Sequence, residues 1–307
     1  MLAQLQRLIV VALITSATIS VAYFSSRGMT TLGCVVAMLL LFGYAAILGL
    51  EFILLGWVHR ESKDACASAG DMLRAWWSEV LSAPAVFFWR QPFRSNAEPD
   101  SLPSVAAGTR GVVLVHGFVC NRGFWTPWMR DLRRRGVPFI AVNLEPVFGS
   151  IDNYPAIIED AVARLETLTE NPVILVGHSM GGLAIRAWLT RFNADARVHR
   201  VITIGSPHQG TWWARCAFST NGKQMRLNSS WLVQLASAET PARASRFTCF
   251  YGPCDNIVFP VSSGAMAGAR NIQVPGVAHV HMAFRPVVFA EVLRHASGLA
   301  PSIDPVG

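Results

Sequence analysis

The sequence predicts an α/β fold, a mostly parallel β-sheet with helices on both faces, preceded by a pair of membrane-spanning helices. Three observations lead to this prediction. Short apolar runs alternate with helical segments from Gly111 onward. Two long uncharged apolar stretches precede them, both before Arg60. A glycine-rich turn at residues 177–182 joins one apolar run directly to a helix.

The composition is more apolar than that of an ordinary soluble domain. Of 307 residues, 52% are hydrophobic and 15% are charged, whereas soluble domains carry about 25% charged residues. A membrane segment is therefore expected. The net charge of +7 does not require nucleic acid as a partner, because the densest basic run, residues 130–135, fits the exposed face of an amphipathic helix. An anionic membrane surface would attract the same positive charge.

The two N-terminal stretches predict a transmembrane helical hairpin over residues 1–60. Residues 8–24 and 30–50 contain no charged side chain, and about 20 apolar residues cross a bilayer. The polar turn between them is short. Two alternatives remain open: a signal peptide followed by one membrane helix, or a pair of core helices in a soluble protein.

The charges that flank the hairpin predict its orientation. Arg7, Arg60 and Lys63 lie near the two ends, and Arg27 stands alone in the turn. The excess of positive charge on the cytoplasmic side of membrane helices places both ends, and the domain that follows, in the cytoplasm.

Residues 61–103 are predicted to form a connecting or interfacial segment, because they are rich in Trp and Phe. Packing onto the following domain is the alternative. A polar linker at residues 98–103 ends this segment. Residues 104–307 then form the globular domain, which we expect to be complete without the residues before it.

Each element of the globular domain has its own signal. Short β-branched apolar runs are typical of buried parallel strands. These runs occupy residues 111–115, 138–142, 173–176, 201–204, 247–251 and 271–274. Helical periodicity covers residues 124–135, 152–169, 181–191 and 286–295. Asp152 is the expected N-cap of the second of these helices.

The turn Gly177-His178-Ser179-Met180-Gly181 has the G-x-S-x-G spacing, with a strand before it and a helix after it. A sharp strand-to-helix turn needs small neighbours, and it lifts the serine oxygen above the sheet edge at a helix N-terminus, where an oxyanion is favoured. The sequence therefore predicts Ser179 as a nucleophile. A structural serine is the alternative.

Where this motif supplies a nucleophile, an acid and then a histidine follow it along the chain. The acidic residues in the required interval are Asp195, Glu239 and Asp255. Asp255 comes directly after the strand at 247–251, on the sheet edge where catalytic groups lie, whereas Asp195 follows a helix. We predict Asp255 as the acid and keep Glu239 in reserve.

The base is predicted to be His279, because it is the first histidine after the last strand. His281 is the alternative, and His295 is expected to be exposed. Stabilising an oxyanion needs backbone N–H groups, and we assign these to Met180, after the nucleophile, and to Phe118, after the first strand. The sequence carries no metal-ligand cluster and no nucleotide-binding fingerprint, so we expect neither a cofactor nor a metal.

Three motifs together resemble the bacterial lipases and esterases of the α/β-hydrolase superfamily. They are His116-Gly117-Phe118, the block at residues 177–182, and Gly205-Ser206-Pro207-His208-Gln209-Gly210-Thr211. The resemblance covers roughly residues 111–295.

This resemblance implies an α/β-hydrolase fold and cleavage of carboxylic esters through an acyl-enzyme. Ser179, Asp255 and His279 would form the catalytic triad, and Phe118 and Met180 would form the oxyanion hole. The expected partners are a small-molecule or lipid ester and membrane lipids, and the oligomeric state stays open. Together with the apolar helices, the resemblance predicts an enzyme anchored in the bacterial inner membrane, unlike typical secreted lipases.

Several alternatives share these features. An acyltransferase, a thioesterase or an amidase would use the same triad, and a non-catalytic membrane scaffold would keep only the fold. Residues 212–246, which are rich in Trp and Leu, are predicted to form a cap over the site, with ordinary core packing as the alternative. A disulfide among Cys216, Cys249 and Cys254 is a further hypothesis, as it would need an oxidising compartment.

Overall fold

The core of the globular domain is a six-stranded sheet in which every pair of neighbouring strands is parallel. The structure is a computed structural model and describes residues 1–61, 67–103 and 108–296. The strands are β1 (Val112–Val115), β2 (Phe139–Ala141), β3 (Val173–His178), β4 (Val198–Ile204), β5 (Phe247–Tyr251) and β6 (Arg270–Gln273). Their order across the sheet is β2-β1-β3-β4-β5-β6. All six predicted strands are present and the predicted fold class is confirmed.

The helices precede, connect and cover these strands. They are α1 (Leu2–Ser25), α2 (Thr30–Glu61), α3 (Ala69–Ala83), α4 (Gln91–Phe93), α5 (Thr126–Arg134), α6 (Pro155–Thr169), α7 (Met180–Phe192), α8 (Thr220–Gln224), α9 (Ser230–Ser237), α10 (Pro241–Ala244), α11 (His279–Met282) and α12 (Pro286–Ala296). A π-helical segment, Pro84–Arg90, joins α3 to α4. Short 3₁₀ turns occupy Arg122–Trp125, Ile151–Asn153, Ala194–Arg197, Trp212–Cys216 and Val261–Gly264.

The two faces of the sheet are both buried, because successive side chains along a strand point to opposite faces. Val113 and Val115 of β1 pack into a core with residues of α6 and α7. Val112 and Leu114 pack into a second core with residues of α5 and α12. This two-sided burial explains why the strands read as continuous apolar runs.

Helix α6 begins at Pro155 and not at Asp152, so the N-cap prediction for Asp152 is wrong. Proline is favoured in the first turn of a helix because its missing N–H has no partner there in any case. Asp152 lies instead in a 3₁₀ turn, where its own N–H donates to Ser150 Oγ at 3.1 Å. Its carboxylate accepts the indole N–H of Trp231 at 2.9 Å.

The helices α1 and α2 pack against each other as an antiparallel hairpin. A Cβ added at Gly33 of α2 would lie 3.0 Å from Val21 Cα of α1, so the two backbones approach closely at this glycine. Both helices are long and apolar enough to cross a membrane, and few of their residues are buried in the protein. That exposure disfavours the alternative of a pair of core helices and is compatible with an anchor or a signal sequence. The flanking Lys63 lies outside the described residues.

Both ends of the hairpin dock onto the α/β domain. Near the start of α1, Gln6 Nε2 donates to the carbonyl of Val119, in the loop after β1, at 3.4 Å. Gln6 and Arg7 also bind α4, through Gln91 Oε1 at 3.1 Å and the carbonyl of Pro92 at 3.0 Å. At the other end, Phe52 and Leu55 of α2 are buried in a cluster with residues of the domain. Residues 69–93 also pack onto the domain and contact α1, α2 and α11.

The described cysteines are all free thiols, so the disulfide hypothesis is not supported. Cys216 is exposed, whereas Cys249 and Cys254 are buried. Cys66 lies outside the described residues.

Candidate active site

Ser179 lies at the sharp turn between β3 and α7, with φ 55° and ψ −127°. Positive φ is uncommon for residues other than glycine because it strains the backbone. Such strained residues are often found at functional sites. Close packing around Ser179 explains why the residues near it are glycines. A Cβ added at Gly177 would lie 2.6 Å from the nitrogen of Gly182, and one added at Gly117 would lie 2.8 Å from Ser179 Cβ. Ser179 is 8% exposed and lines a cavity.

Asp255 and His279 form a close pair, and His279 lines the same cavity. His279 Nδ1 lies 2.9 and 3.0 Å from the two carboxylate oxygens of Asp255. Oδ1 of Asp255 also accepts the backbone N–H groups of Ile257 and Val258. The N–H of His279 donates to Asn256 Oδ1 at 3.1 Å. The imidazole is therefore fixed at its Nδ1 side by a carboxylate that is itself held by backbone donors.

The electrostatics of the pair favour a charged imidazole. Burial by itself lowers the pKa of His279, but the charge and the hydrogen bond of Asp255 act against burial, and Glu79 and Glu51 contribute in the same direction. The net result is a pKa raised above the ordinary value of 6.5. A base that can hold a proton next to a buried carboxylate suits proton transfer from a hydroxyl.

Gly205 makes this arrangement sterically allowed. It has φ 53°, and an added Cβ would lie 2.8 Å from Asp255 Oδ2 and 3.0 Å from His279 Nδ1. It opens the Gly-Ser-Pro-His block, and the structure places it directly against the pair. The sequence contained the glycine, but its role depends on a contact between residues distant along the chain.

The acidic alternatives lie elsewhere. Arg186 donates to both carboxylate oxygens of Glu239 at 2.5 and 3.2 Å, and these two side chains line a different cavity from Ser179. Asp195 forms an ion pair with Arg243 at 2.7 Å. Neither carboxylate adjoins His279, so the structure favours Asp255 over both.

The histidine alternatives also differ from His279. The N–H of His281 donates to Glu79 Oε2 at 3.0 Å, and its ring is not among the residues that line the cavity. His295 is buried, contrary to the expectation of an exposed side chain, because α12 turns it toward His199 and Glu291.

The expected oxyanion donors flank Ser179. Met180 is the first residue of α7, so its N–H has no partner within the helix, and Phe118 lines the cavity. His116 holds the loop of Phe118 from behind. Its Nδ1 lies 2.8 Å from the carbonyl of Gly117, and its Nε2 accepts the N–H of Leu144 at 3.0 Å. Burial lowers the pKa of His116 to about 4, so it is neutral.

The other two histidines of the motifs are also held in place by their neighbours. The ring of His178 stacks on Phe124 with centroids 4.4 Å apart. His208 Nε2 lies 2.9 Å from Thr203 Oγ1. Burial lowers the pKa of both rings well below the ordinary value. These surroundings suit structural roles.

The cavity has a volume of about 390 Å³ and is mostly apolar. Ser179, His279 and Phe118 line it from the α/β domain. Residues of α2, of α3 and of the π-helical segment also line it. No residue of 212–246, a range that the structure describes throughout, lines it. Residues before 103 thus supply part of the wall that we expected from a cap. That the globular domain is complete without them stays a prediction.

Within residues 212–246, core packing accounts for most of the large side chains. Leu232 and Leu235 lie in the core on the α7 face of the sheet. Trp212 and Trp213 pack against Phe259, near the end of α2. This agrees with the alternative of ordinary core packing.

Glu79 is a site neighbour that sequence reasoning missed. It is 2% exposed, and its two oxygens accept the N–H groups of Val280 and His281 at 2.9 and 3.0 Å. Burial raises its pKa to about 7, although these hydrogen bonds and the His279 charge act against burial. One signal was available, since Glu79 shares the buried face of α3 with Ala75 and Ala83 at a spacing of four.

The loop of Phe118 is tied to the N-terminal helices by a buried amide network. Gln91 Oε1 accepts the N–H of Asn121 at 3.1 Å and also the amide of Gln6. Asn121 Oδ1 in turn accepts the N–H of Gly123 at 2.9 Å. Side chains from α1 and α4 thus fix the loop that follows β1.

Comparisons with known proteins agree with this fold. Residues 112–255 match the model of the alpha/beta hydrolase family. The AB hydrolase superfamily protein YisY of Bacillus subtilis (strain 168) is 30% identical over 105 residues, which is 32% of this chain and 39% of that protein. The matched region therefore spans well under two thirds of that relative's length.

Among solved structures, the mature form of the Bacillus licheniformis lipase BlEst2 superposes with a TM-score of 0.55 at 17% identity, covering 63% of this chain and 96% of that chain. Its propeptide form gives the same score and identity, covering 68% of this chain and 54% of that chain. At this identity the likeness shows the fold. The resemblance to α/β-hydrolases is thus confirmed, whereas the catalytic roles of individual residues stay predictions.

Proposed function

We propose that this chain, which contains an alpha/beta hydrolase domain, is a membrane-anchored serine hydrolase that cleaves carboxylic esters through an acyl-enzyme on Ser179. The observation that carries the proposal is the joint geometry of three side chains. Ser179 stands at a strained turn in an apolar cavity, His279 lines the same cavity, and Asp255 holds His279 at 2.9 Å.

The proposed reaction proceeds in two steps. The Ser179 hydroxyl attacks the ester carbonyl while His279 takes its proton, and the oxyanion accepts hydrogen bonds from the N–H groups of Phe118 and Met180. His279 then protonates the departing alcohol. Water attacks the acyl-enzyme with His279 again as base, and the acid leaves. Asp255 orients the imidazole and stabilises its charged form without taking the proton.

Two features support an ester with an apolar acyl group over a polar substrate. The cavity is mostly apolar apart from the catalytic side, and each buried CH₂ contributes about 0.8 kcal/mol to binding. The apolar helices α1 and α2 support a location at a membrane, where such esters concentrate.

The test is activity-based labelling of the membrane fraction with a fluorophosphonate probe. The wild-type chain should be labelled and should hydrolyse p-nitrophenyl esters. Ser179→Ala should abolish labelling and reduce kcat by about a thousandfold or more. Ser237→Ala, on the exposed side of α9, is the matched control and should behave as wild type. Labelling of Ser179→Ala at the wild-type level would contradict the proposal.

A further inference from the structure

The apolar wall of the active-site cavity comes from outside the α/β domain. Ile47 and Leu48 of α2 line the cavity, and so do Phe87 and Phe88 of the π-helical segment. Ser179 lines the same cavity. An acyl group attached to Ser179 would therefore lie against the second apolar helix of the hairpin.

The cavity-facing part of α2 is held in place by directional contacts. The hydroxyl of Tyr44 donates to the carbonyl of Val80 at 2.9 Å. The indole N–H of Trp76 donates to the carbonyl of Ala45 at 3.0 Å. The ring of Tyr44 also meets that of Phe88 edge-on, with centroids 5.5 Å apart. These contacts fix the helix against α3 and the π-helical segment.

A second anchor follows nearly two turns later along α2. Asn256 Nδ2 donates to Glu51 Oε2 at 2.6 Å, and Asn256 is the neighbour of Asp255 that also holds the backbone of His279. Phe52 and Leu55, just beyond, are buried against the domain. Ile47 and Leu48 thus lie between two docked points, and their position relative to Ser179 is set by the fold.

The preceding part of α2 has a different environment. Met38, Leu39 and Phe42 are 63%, 66% and 60% exposed although all three are large and apolar. At about 1.5 Å per residue the helix is roughly 48 Å long, which exceeds the hydrocarbon thickness of about 30 Å. Further along α2, one face is buried at Phe52, Leu55 and Val58, whereas Ile47 and Ile53 remain 63% and 70% exposed. The cavity therefore lies where one face of the helix begins to pack against the protein.

We propose that α2 is the acyl-binding wall of the active site, and that the substrate is a membrane-resident carboxylic ester whose acyl chain lies along Ile47 and Leu48. This inference rests on the proposed function of Ser179. A lipid whose headgroup region is near the domain can place one chain in the cavity without leaving the bilayer. The volume of about 390 Å³ is within the range of about 300–1,000 Å³ usual for small-ligand pockets.

The experiment compares two leucines of the same helix. Leu48 lines the cavity, whereas Leu50 is 54% exposed and does not; two residues apart, they point to nearly opposite sides of the helix. Full-length Leu48→Trp and Leu50→Trp are purified in detergent and assayed with p-nitrophenyl butyrate, octanoate, laurate and palmitate. Leu48→Trp should lower the laurate-to-butyrate ratio of kcat/KM by about tenfold. Leu50→Trp should keep the wild-type ratio.

Leu48→Ala is the second variant, because its smaller side chain cannot clash with its neighbours as the tryptophan of Leu48→Trp can. It should shift the preference toward longer chains. If both Leu48 variants keep the wild-type ratio while fluorophosphonate still labels Ser179, the wall proposal is overturned and the proposed function stands. If the wild-type chain shows no Ser179-dependent labelling, the proposed function itself fails, and the wall proposal fails with it.

Discussion

Asp255 and His279 are held in position by each other and by the backbone around them. Asp255 is 2% exposed and His279 is 5% exposed. The carboxylate uses Oδ1 for two backbone donors and for the imidazole. Such over-determined geometry is what a base needs, because proton transfer demands a fixed position.

We expect His279→Ala to lose as much activity as Ser179→Ala, because the nucleophile and its base act as one unit. Asp255→Asn should lose less, since Asp255 transfers no proton. His281→Ala and Glu239→Gln are the controls and should retain most of the activity. The measurement is kcat/KM on a p-nitrophenyl ester, with circular dichroism to check folding. An inactive His281→Ala beside an active His279→Ala would reverse the assignment.

Substituting Gly205 is a second test at the scale of single residues. It separates the effect of backbone strain from the effect of a side chain that touches Asp255 and His279. Gly205 and Gly136 both have positive φ, at 53° and 68°. An added Cβ at Gly205 would lie 2.8 Å from Asp255 Oδ2, whereas at Gly136 nothing lies within 4 Å. Both alanine variants carry the cost of positive φ for a side chain, but Gly205→Ala alone displaces the Asp255–His279 pair.

Gly205→Ala should therefore lower kcat by at least about tenfold, as small misplacements of catalytic groups do. Gly136→Ala should lower the melting temperature modestly and leave kcat unchanged. Equal loss of kcat in both variants would mean that position 205 needs glycine because of its positive φ, and not because of its contact with Asp255 and His279.

At the scale of elements, the sequence predicted the sheet well because strands and helices leave local periodic signals. All six strands fall within a few residues of their predicted bounds, and the position of Ser179 followed from its turn. The contributions of Glu79, Gln91 and Asn256 could not be predicted in this way. Their roles depend on α3, α4 and the loop after β5 meeting in space. The spacing of Glu79 from Ala75 and Ala83 indicates a buried face of α3, but it does not reveal which residues that face contacts.

Helix α3 acts on the base through one carboxylate, and this gives a pH prediction. Glu79 contributes to the raised pKa of His279, and burial raises the pKa of Glu79 itself to about 7. The charge of each group therefore affects the titration of the other. His279 must be neutral to act as a base, so kcat/KM should rise with pH through an apparent pKa above 6.5. The sequence alone predicts only the ordinary imidazole pKa, about 6.5, because it does not reveal the carboxylates around the ring.

Glu79→Gln removes the negative charge but keeps one hydrogen-bond acceptor. Without that charge the protonated imidazole is less stable, so the acid limb of the kcat/KM profile should move to lower pH. Glu98→Gln, which removes a carboxylate paired with Arg130, is the control and should leave the limb in place. A purely structural role for Glu79 would reduce kcat at every pH without moving the limb, and that result would contradict the prediction.

At the scale of the whole molecule, the N-terminal hairpin and the α/β domain depend on each other. The start of α1 binds the loop of Phe118 through Gln6 and Gln91. The last third of α2 binds the loop of Asp255 through Glu51. A cleaved signal peptide would remove the first of these contacts. We therefore predict that α1 is retained in the mature protein.

The hairpin topology predicts which side of the membrane each part occupies. Both helix ends contact the domain, so the turn at residues 26–29 must lie across the bilayer from it if the hairpin spans. Positive charge near the ends predicts a cytoplasmic domain. Cys216 is exposed on the domain, and Cys34 is exposed on α2, so a Cys34→Ser background can carry a single reporter at the turn, Ser26→Cys.

In intact cells, a membrane-impermeant maleimide should label Ser26→Cys, because the turn faces outward. Cys216 should react only after the membrane is permeabilised, and its labelling then shows that it is accessible. Intact mass of the purified chain should include residues 1–25, which a processed signal peptide would lack. If Cys216 is labelled in intact cells while Ser26→Cys is not, the hairpin is inverted. If the mass lacks α1, the hairpin is wrong, and the contact between Gln6 and Gln91 does not exist in the mature protein.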